Sequence, residues 1–163
     1  MFQERLDNSP SIPVPQHLQF RKSWRWPHAI ESFFKLRIEN KYSLHVCCGQ
    51  SEIGTVRIDL DPTSKRTQEG DMRDIPFTNN MFDVVFGDWP WKMNYYQRFR
   101  PFFEMARVCK VGGYVIVNST WIPHSEVMLL KEMFVRCDSP WGTASVILVY
   151  EKISDILDKN EVS

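Results

Sequence analysis

The stretch Phe82-Asp83-Val84-Val85-Phe86-Gly87-Asp88-Trp89-Pro90-Trp91 joins an apolar run to an acid, a proline and two indoles. Its first part is rich in Val and Phe, a composition typical of a buried β-strand. Asp88 would then stand at the carboxyl end of that strand, where open α/β sheets bind their ligands. The stretch therefore predicts a buried strand that leads directly into a functional site.

Segments with strand and helix patterns alternate on both sides of this strand. Further short strands are expected at residues 44–48, 56–60, 114–118 and 146–150. Helices are expected at residues 27–39, 95–108 and 125–134, where apolar side chains recur at helical spacing, and a turn at residues 110–113. This alternation predicts an α/β fold with a mostly parallel sheet and helices on both of its faces.

The connection between the first two expected strands is short. Residues 49–56 are too few for a parallel crossover, which normally needs about a dozen residues. Either the first crossover helix is reduced to a turn, or these strands are not directly joined by a standard crossover. We expect a trimmed fold with a reduced first crossover helix.

The length of the chain fits one domain with a single core, at 163 residues and 19.3 kDa. We expect an irregular arm at residues 1–26, rich in proline and in basic and aromatic residues, then a folded domain at residues 27–153 and a polar tail at residues 154–163. The formal net charge is zero. Any contact with nucleic acid must therefore come from a local basic patch.

Membrane and metal sites are not indicated by the sequence. No apolar run reaches transmembrane length, and Met1-Phe2-Gln3-Glu4 lacks the cationic start of a signal peptide. We therefore expect a cytoplasmic protein without a membrane partner. The four cysteines show no Cys-x-x-Cys pairing, and the four histidines lack ligand spacing. Reduced thiols and no bound metal are expected.

Several motifs in a fixed order resemble those of class I methyltransferases that depend on S-adenosylmethionine (SAM). They are Leu44-His45-Val46-Cys47-Cys48-Gly49, Ile58-Asp59, Gly70-Asp71-Met72-Arg73-Asp74-Ile75-Pro76-Phe77 and Arg107-Val108-Cys109-Lys110-Val111-Gly112-Gly113. The resemblance covers about residues 44–118 and implies a Rossmann-like fold with SAM as the cofactor. His45 stands where the family usually has an acid, Cys47 where it has a glycine and Val111 where it has a proline.

The resemblance also implies a set of cofactor-binding residues. The loop beneath the methionine moiety of SAM would comprise Cys47, Cys48, Gly49 and Gln50. Asp59, followed by Leu60, would hold the ribose hydroxyls, as an acid at the end of a second strand can do. Asp71 would accept a hydrogen bond from the adenine amine, and the backbone at Met72 would meet the adenine ring. Asp88 completes this set, at the place where the methyl group of SAM is transferred.

The segment Asp88-Trp89-Pro90-Trp91 resembles the Asp-Pro-Pro-Trp/Tyr signature of enzymes that methylate exocyclic amino groups of nucleobases, with Trp89 in place of the first proline. By this resemblance, the Asp88 carboxylate and the Trp89 carbonyl accept the two N–H bonds of the target amine. Pro90 would orient that carbonyl, because its ring restricts the residue before it. Trp91 would stack on the base, an interaction worth roughly 1–3 kcal/mol.

The expected substrate is therefore a base in DNA or RNA, as in DNA methylation, and adenine is the base expected first. Substrate contacts are expected from Trp24, Arg25, Trp26, Trp91 and Lys92. A solvated basic face with a hydrophobic anchor would explain the same residues. Two other functions fit the sequence: a methyltransferase for a small molecule, and a catalytically silent partner subunit with the same fold. The sequence predicts no oligomeric state.

Overall fold

The structure is a computed structural model that describes residues 26–90, 95–136 and 144–155, with only the backbone described at residues 95 and 96. The described helices are α1 (His28–Ile38) and α2 (Tyr95–Val108). The strands are β1 (Ser43–Val46), β2 (Val56–Asp59), β3 (Gln68–Glu69), β4 (Phe82–Gly87), β5 (Cys109–Ser119), β6 (Met128–Arg136) and β7 (Ser145–Lys152). All belong to a seven-stranded sheet in the order β3-β2-β1-β4-β5-β7-β6.

The sheet is mostly parallel, as the sequence predicts. Strand β7 runs antiparallel to both β5 and β6, and the other neighbouring strands are parallel. The strand order reverses between β1 and β4, which lie side by side in the middle of the sheet. In open α/β sheets such a reversal creates a crevice at the carboxyl ends of the two strands.

The described helices cover opposite faces of the sheet. Neighbouring strand residues point to opposite faces, and Val84 and Val85 belong to different hydrophobic clusters. Phe34 of α1 packs in the Val84 cluster, whereas Met105 of α2 packs in the Val85 cluster. The prediction of helices on both faces is therefore confirmed.

The first crossover is a turn rather than a helix, in agreement with the sequence. Between β1 and β2 the Ser51 amide donates to the Cys48 carbonyl over 2.9 Å. The Arg57 guanidinium then donates to the carbonyls of Glu52, at 2.8 Å, and Arg66, at 3.3 Å. The two bonds from Arg57 connect the loop between β1 and β2 with the loop between β2 and β3.

The helix predicted at residues 125–134 is wrong, because most of this segment forms the edge strand β6. Leu, Met, Glu and Lys favour helix in isolation, and their spacing matches a helix face. Antiparallel pairing with β7 from Met128 to Arg136 overrides that preference. The ladder shifts register between Leu130 and Glu132, so that one extra residue, Lys131, is accommodated as a bulge.

Two further elements differ from the sequence-based expectation. Strand β5 starts at Cys109, directly after α2. The turn predicted at residues 110–113 forms an irregularity within β5. At this point the pairing with β4 passes from Phe82–Cys109 to Val84–Tyr114. The short strand β3 lies outside the strands expected from the sequence. Among the described residues, no helix is long and apolar enough to cross a membrane.

Candidate functional site

The reversal point of the sheet brings together the residues that follow β1, β2 and β4. Val46 of β1 pairs with Gly87 of β4 in parallel, so Cys47 and Asp88 leave the same edge of the sheet. On the other side of β1, Val46 pairs with Ile58, and Asp59 follows. Sequence-predicted residues from three strands therefore meet at one crevice.

The Cys47 thiol lies at the centre of this arrangement. Burial raises its pKa well above the ordinary value, and the negative charges of Asp59, Asp88 and Asp71 raise it further. The Cys47 Sγ atom lies 3.3 Å from the Met72 Sδ atom, which brings the segment after β3 into the same site. Three carboxylates thus lie near one neutral thiol at the crevice.

The Asp59 carboxylate organises the loop after β1. One oxygen accepts the Gly49 amide at 2.9 Å, and the other accepts the Asp61 amide at 3.0 Å. An ionised carboxylate has about four acceptor positions. Asp59 therefore has capacity for ligand hydroxyls in addition to these two bonds. The side chain of Leu60, beside it, is 61% exposed.

Asp71 is engaged by Arg73. The guanidinium donates to both carboxylate oxygens, and the Arg73 amide donates to one of them at 2.8 Å. The Arg73 hydrogen bonds lower the Asp71 pKa. Any ligand amine that binds Asp71 must share this carboxylate with Arg73.

The segment after Asp71 is tied to α2 by a pair of charged residues. The Glu104 carboxylate accepts the Ile75 amide at 2.8 Å, and Arg107 donates to the carbonyls of Ile75 and Phe77. Burial alone would raise the pKa of Glu104, but the hydrogen bonds from Arg107 and Ile75 lower it. This pair places Asp71 and Met72 beside the crevice.

Asp88 and Trp89 follow β4 with different environments. Asp88 is half-buried, and its Oδ1 atom accepts the Asn118 side-chain amide at 3.2 Å. The Trp89 indole is 3% exposed and packs in the core against Phe102. Pro90 is exposed.

Solved structures share this arrangement of strands. A putative methyltransferase from Bacillus halodurans C-125 superposes with a TM-score of 0.58 at 12% identity, over 77% of this chain and 98% of that one. The N-methyltransferase NodS from Bradyrhizobium japonicum WM9, in complex with S-adenosyl-L-homocysteine, gives a TM-score of 0.59 at 9% identity, over 77% of this chain and 87% of that one. TrmN from Thermus thermophilus gives 0.55 at 16% identity, over 76% of this chain and 48% of that one.

The fold is that of the class I SAM-dependent methyltransferases. No protein-family model and no curated protein matches the sequence. The methyltransferase fold is therefore recognised from the architecture itself, together with the sequence motifs at the carboxyl ends of β1, β2 and β4.

The residues at the crevice of this methyltransferase fold fit SAM. SAM carries a positively charged sulfonium, and the carboxylates of Asp59, Asp71 and Asp88 surround the crevice. The Gly49 amide, in the loop after β1, donates to the Asp59 carboxylate, and this loop forms a turn instead of a helix. One residue is unusual for such a loop, since Cys47 adopts a φ of 55°, which favours glycine.

Sequence reasoning missed the residues that surround Asp88 and Trp89. Asn118 and Ser145 are fully buried and hydrogen-bonded to each other. Trp121 stacks on Trp89, and Arg98 lies over Trp121. The sequence contained one signal that could have indicated Asn118, namely the polar pair Asn118-Ser119 at the end of an otherwise apolar strand.

The residues predicted to contact the substrate are only partly described. Trp24, Arg25, Trp91 and Lys92 lie outside the described residues, and their roles stay predictions. Trp26 is 2% exposed, and its Nε1 atom donates to the His45 Nε2 atom over 3.3 Å. In this position Trp26 anchors the start of α1 in the core, where it offers no ring face to a substrate.

Acid should destabilise the protein through His45. The ring is fully buried, its Nδ1 atom faces the Ile53 carbonyl, and burial lowers its pKa from 6.5 to about 3. Below pH 6.5 the unfolded chain binds a proton that the folded chain excludes, so stability falls as the pH drops toward 3. The expected loss between pH 6.5 and pH 5 is about 2 kcal/mol. Urea unfolding across this range measures it.

The control for this prediction is His45→Gln, which removes the titrating group and keeps a polar side chain. Its stability should change less with pH over the same range. An identical pH dependence in the two proteins would show that another group titrates.

Proposed function

We propose that this protein transfers a methyl group from SAM to an exocyclic amino group of a nucleic-acid base, with adenine as the expected base. The observation that carries the proposal is the position of Asp88. It leaves β4 at the reversal point of the sheet, beside the loop after β1, and it is held there by Asn118. An acceptor at this place lies at the proposed cofactor crevice.

The cofactor roles proposed here are those that the methyltransferase resemblance implies, and the place of these residues around the crevice supports them. Asp59 would accept the ribose hydroxyls while it holds Gly49, and Asp71 with Met72 would meet the adenine end. The loop of Cys47, Cys48, Gly49 and Gln50 would lie beneath the methionine moiety, and Leu60 would cover the ribose side. SAM would supply an activated methyl group on its sulfonium.

The substrate amine would be prepared by Asp88 and Trp89. A nucleobase amino group shares its lone pair with the ring and attacks poorly. If the Asp88 carboxylate and the Trp89 carbonyl each accept one N–H, the nitrogen is drawn toward tetrahedral geometry and its lone pair becomes available. Fixed alignment of the nitrogen then supplies much of the acceleration. Pro90 would restrict the carbonyl, and Trp91 would stack on the base.

A small-molecule substrate is the second candidate. The zero net charge of the chain supports it, because no overall field draws a polyanion to the protein. Arg98 and Arg100 are engaged with Trp121 and the Arg73 carbonyl. A silent partner subunit is the third candidate, and the strained Cys47 in the cofactor loop supports it.

The deciding experiment is the transfer of labelled methyl from SAM to a panel of DNA, RNA and metabolite extract, with Asp88→Ala as the control protein. Label in nucleic acid that disappears with Asp88→Ala supports the proposal. Label in the metabolite fraction favours the second candidate. Binding of SAM without label in any fraction favours the silent subunit.

A further inference from the structure

The carboxyl end of β5 contacts the side chains of both residues proposed to hold the target amine. Asn118, near the end of β5, donates to the Asp88 carboxylate. Trp121, just beyond β5, stacks on Trp89 with ring centroids 5.4 Å apart and planes 21° apart. We propose that Asn118 and Trp121 are positioning residues for methyl transfer: Asn118 orients the Asp88 carboxylate, and Trp121 holds the backbone of Trp89. This inference rests on the proposed function.

The orientation of the Asn118 amide is determined by its two partners. The Ser145 hydroxyl of β7 donates to the Asn118 Oδ1 atom at 2.9 Å, so the Nδ2 atom faces Asp88 at 3.2 Å. A flipped amide would turn its oxygen toward the carboxylate, which is also only an acceptor. Asn118 and Ser145 are 0% and 1% exposed, so water does not replace these bonds.

This polar chain crosses neighbouring strands. Asp88 follows β4, Asn118 belongs to β5 and Ser145 begins β7, and these strands are adjacent in the sheet. The carboxylate is thereby linked to the rigid centre of the sheet. An ionised carboxylate accepts several hydrogen bonds, so the bond from Asn118 leaves capacity for a substrate N–H.

The Trp89 backbone is restrained by the packing of its own side chain, in addition to the ring of Pro90 that follows it. Its indole is buried between the edge of Phe102, at 6.5 Å, and the face of Trp121. Trp121 is fixed in turn, because its amide donates to the Ser119 hydroxyl at 3.1 Å and the Arg98 guanidinium lies 4.6 Å from its ring centroid. A large side chain that is packed on both sides limits the rotation of its own backbone, and this packing is the proposed restraint on the Trp89 carbonyl.

The test of Asn118 compares two Asn→Asp substitutions in the full-length protein. Asn118→Asp keeps the size of the side chain and the acceptor for Ser145, but it replaces the donor to Asp88 with a like charge. Asn80→Asp is the matched control, since Asn80 bonds Lys152 and Asp155 away from the crevice. The readouts are kcat and KM with the nucleic-acid acceptor that the unaltered protein labels, the SAM affinity by calorimetry, and the melting temperature.

We expect Asn118→Asp to lower kcat by about 10- to 100-fold, the order of loss that small misplacements of a reacting group cause. The KM for SAM and the SAM affinity should stay close to those of Asn80→Asp, whereas the melting temperature should fall, because a second carboxylate beside Asp88 is unfavourable at the fully buried Asn118 position. An unchanged kcat overturns the positioning role. A loss of kcat that is matched by an equal loss of SAM affinity overturns it as well, and kcat is measured at a temperature where both variants are folded.

Trp121 is tested by a graded pair. Trp121→Ala removes the stacking partner of Trp89 and should lower kcat about tenfold or more, whereas Trp121→Phe keeps an aromatic face and should restore most of the activity. If Trp121→Ala does not fold, Trp121→Leu keeps bulk without a ring and takes its place. Equal activity of Trp121→Phe and the aliphatic variant overturns the role of the stack. If the unaltered protein labels no acceptor, the proposed function fails and the positioning roles fail with it.

Discussion

Asp88→Ala is expected to abolish methyl transfer while SAM binding stays close to that of the unaltered protein. The substitution removes an acceptor that acts on the substrate amine. Losses of about 10²- to 10³-fold are typical when one such preorganised group is deleted. Isothermal calorimetry with SAM and a labelled-methyl assay on the same preparation measure the two properties separately.

Asp59→Ala is the matched counterpart and should show the opposite result, which is a loss of SAM affinity. It removes the acceptor proposed for the ribose and also releases the Gly49 and Asp61 amides. A hydrogen bond to a charged group contributes about 1.5–3 kcal/mol, so SAM affinity should fall by at least about tenfold. Equal losses of cofactor affinity in the two variants would contradict the assigned roles.

Asp88→Asn separates the effect of the negative charge from the effect of side-chain shape. It keeps the side-chain size and one carbonyl oxygen, but it removes the negative charge that draws the amine hydrogens. Transfer should remain strongly reduced. Full activity of Asp88→Asn would show that the charge of this side chain is unimportant for the reaction.

Gly87→Ala should destabilise the fold more than any other glycine-to-alanine change at the crevice. A Cβ atom at this position would overlap the backbone carbonyl oxygen of Val46, and β1 would have to move. Overpacking typically costs about 1–3 kcal/mol, and a clash with strand backbone should reach or exceed the upper end of that range. Chemical unfolding of the purified protein measures the change.

Gly70→Ala is the control for this prediction. Its added methyl group would lie 3.3 Å from the Ile58 Cβ atom, a tight contact with a side chain rather than an overlap with backbone. The stability of Gly70→Ala should therefore stay much closer to that of the unaltered protein. Similar losses for the two glycines would argue against a close approach of β1 and β4 at Gly87.

The site could be predicted from sequence to the extent that its residues follow strands. Asp59 and Asp88 stand at the ends of apolar runs, and Gly49 follows another. Parallel strands bring such positions to one edge of a sheet. The structure places Cys47, Asp59, Asp71 and Asp88 together for that reason. The partners of Asp88 were missed, because Asn118 and Ser145 are distant in sequence and become neighbours only through strand pairing.

Local patterns in the sequence determined the positions of most strands, the shortened first crossover and the acids at the strand ends, because these depend on residues close together along the chain. Tertiary structure alone decided that Met128–Arg136 is a strand, since pairing with β7 outweighs the helix preference of its residues. It also decided that the Trp89 indole lies in the core, where it packs against Phe102 and Trp121. Both outcomes depend on contacts between segments far apart in sequence, and such contacts leave no periodic pattern in either segment alone.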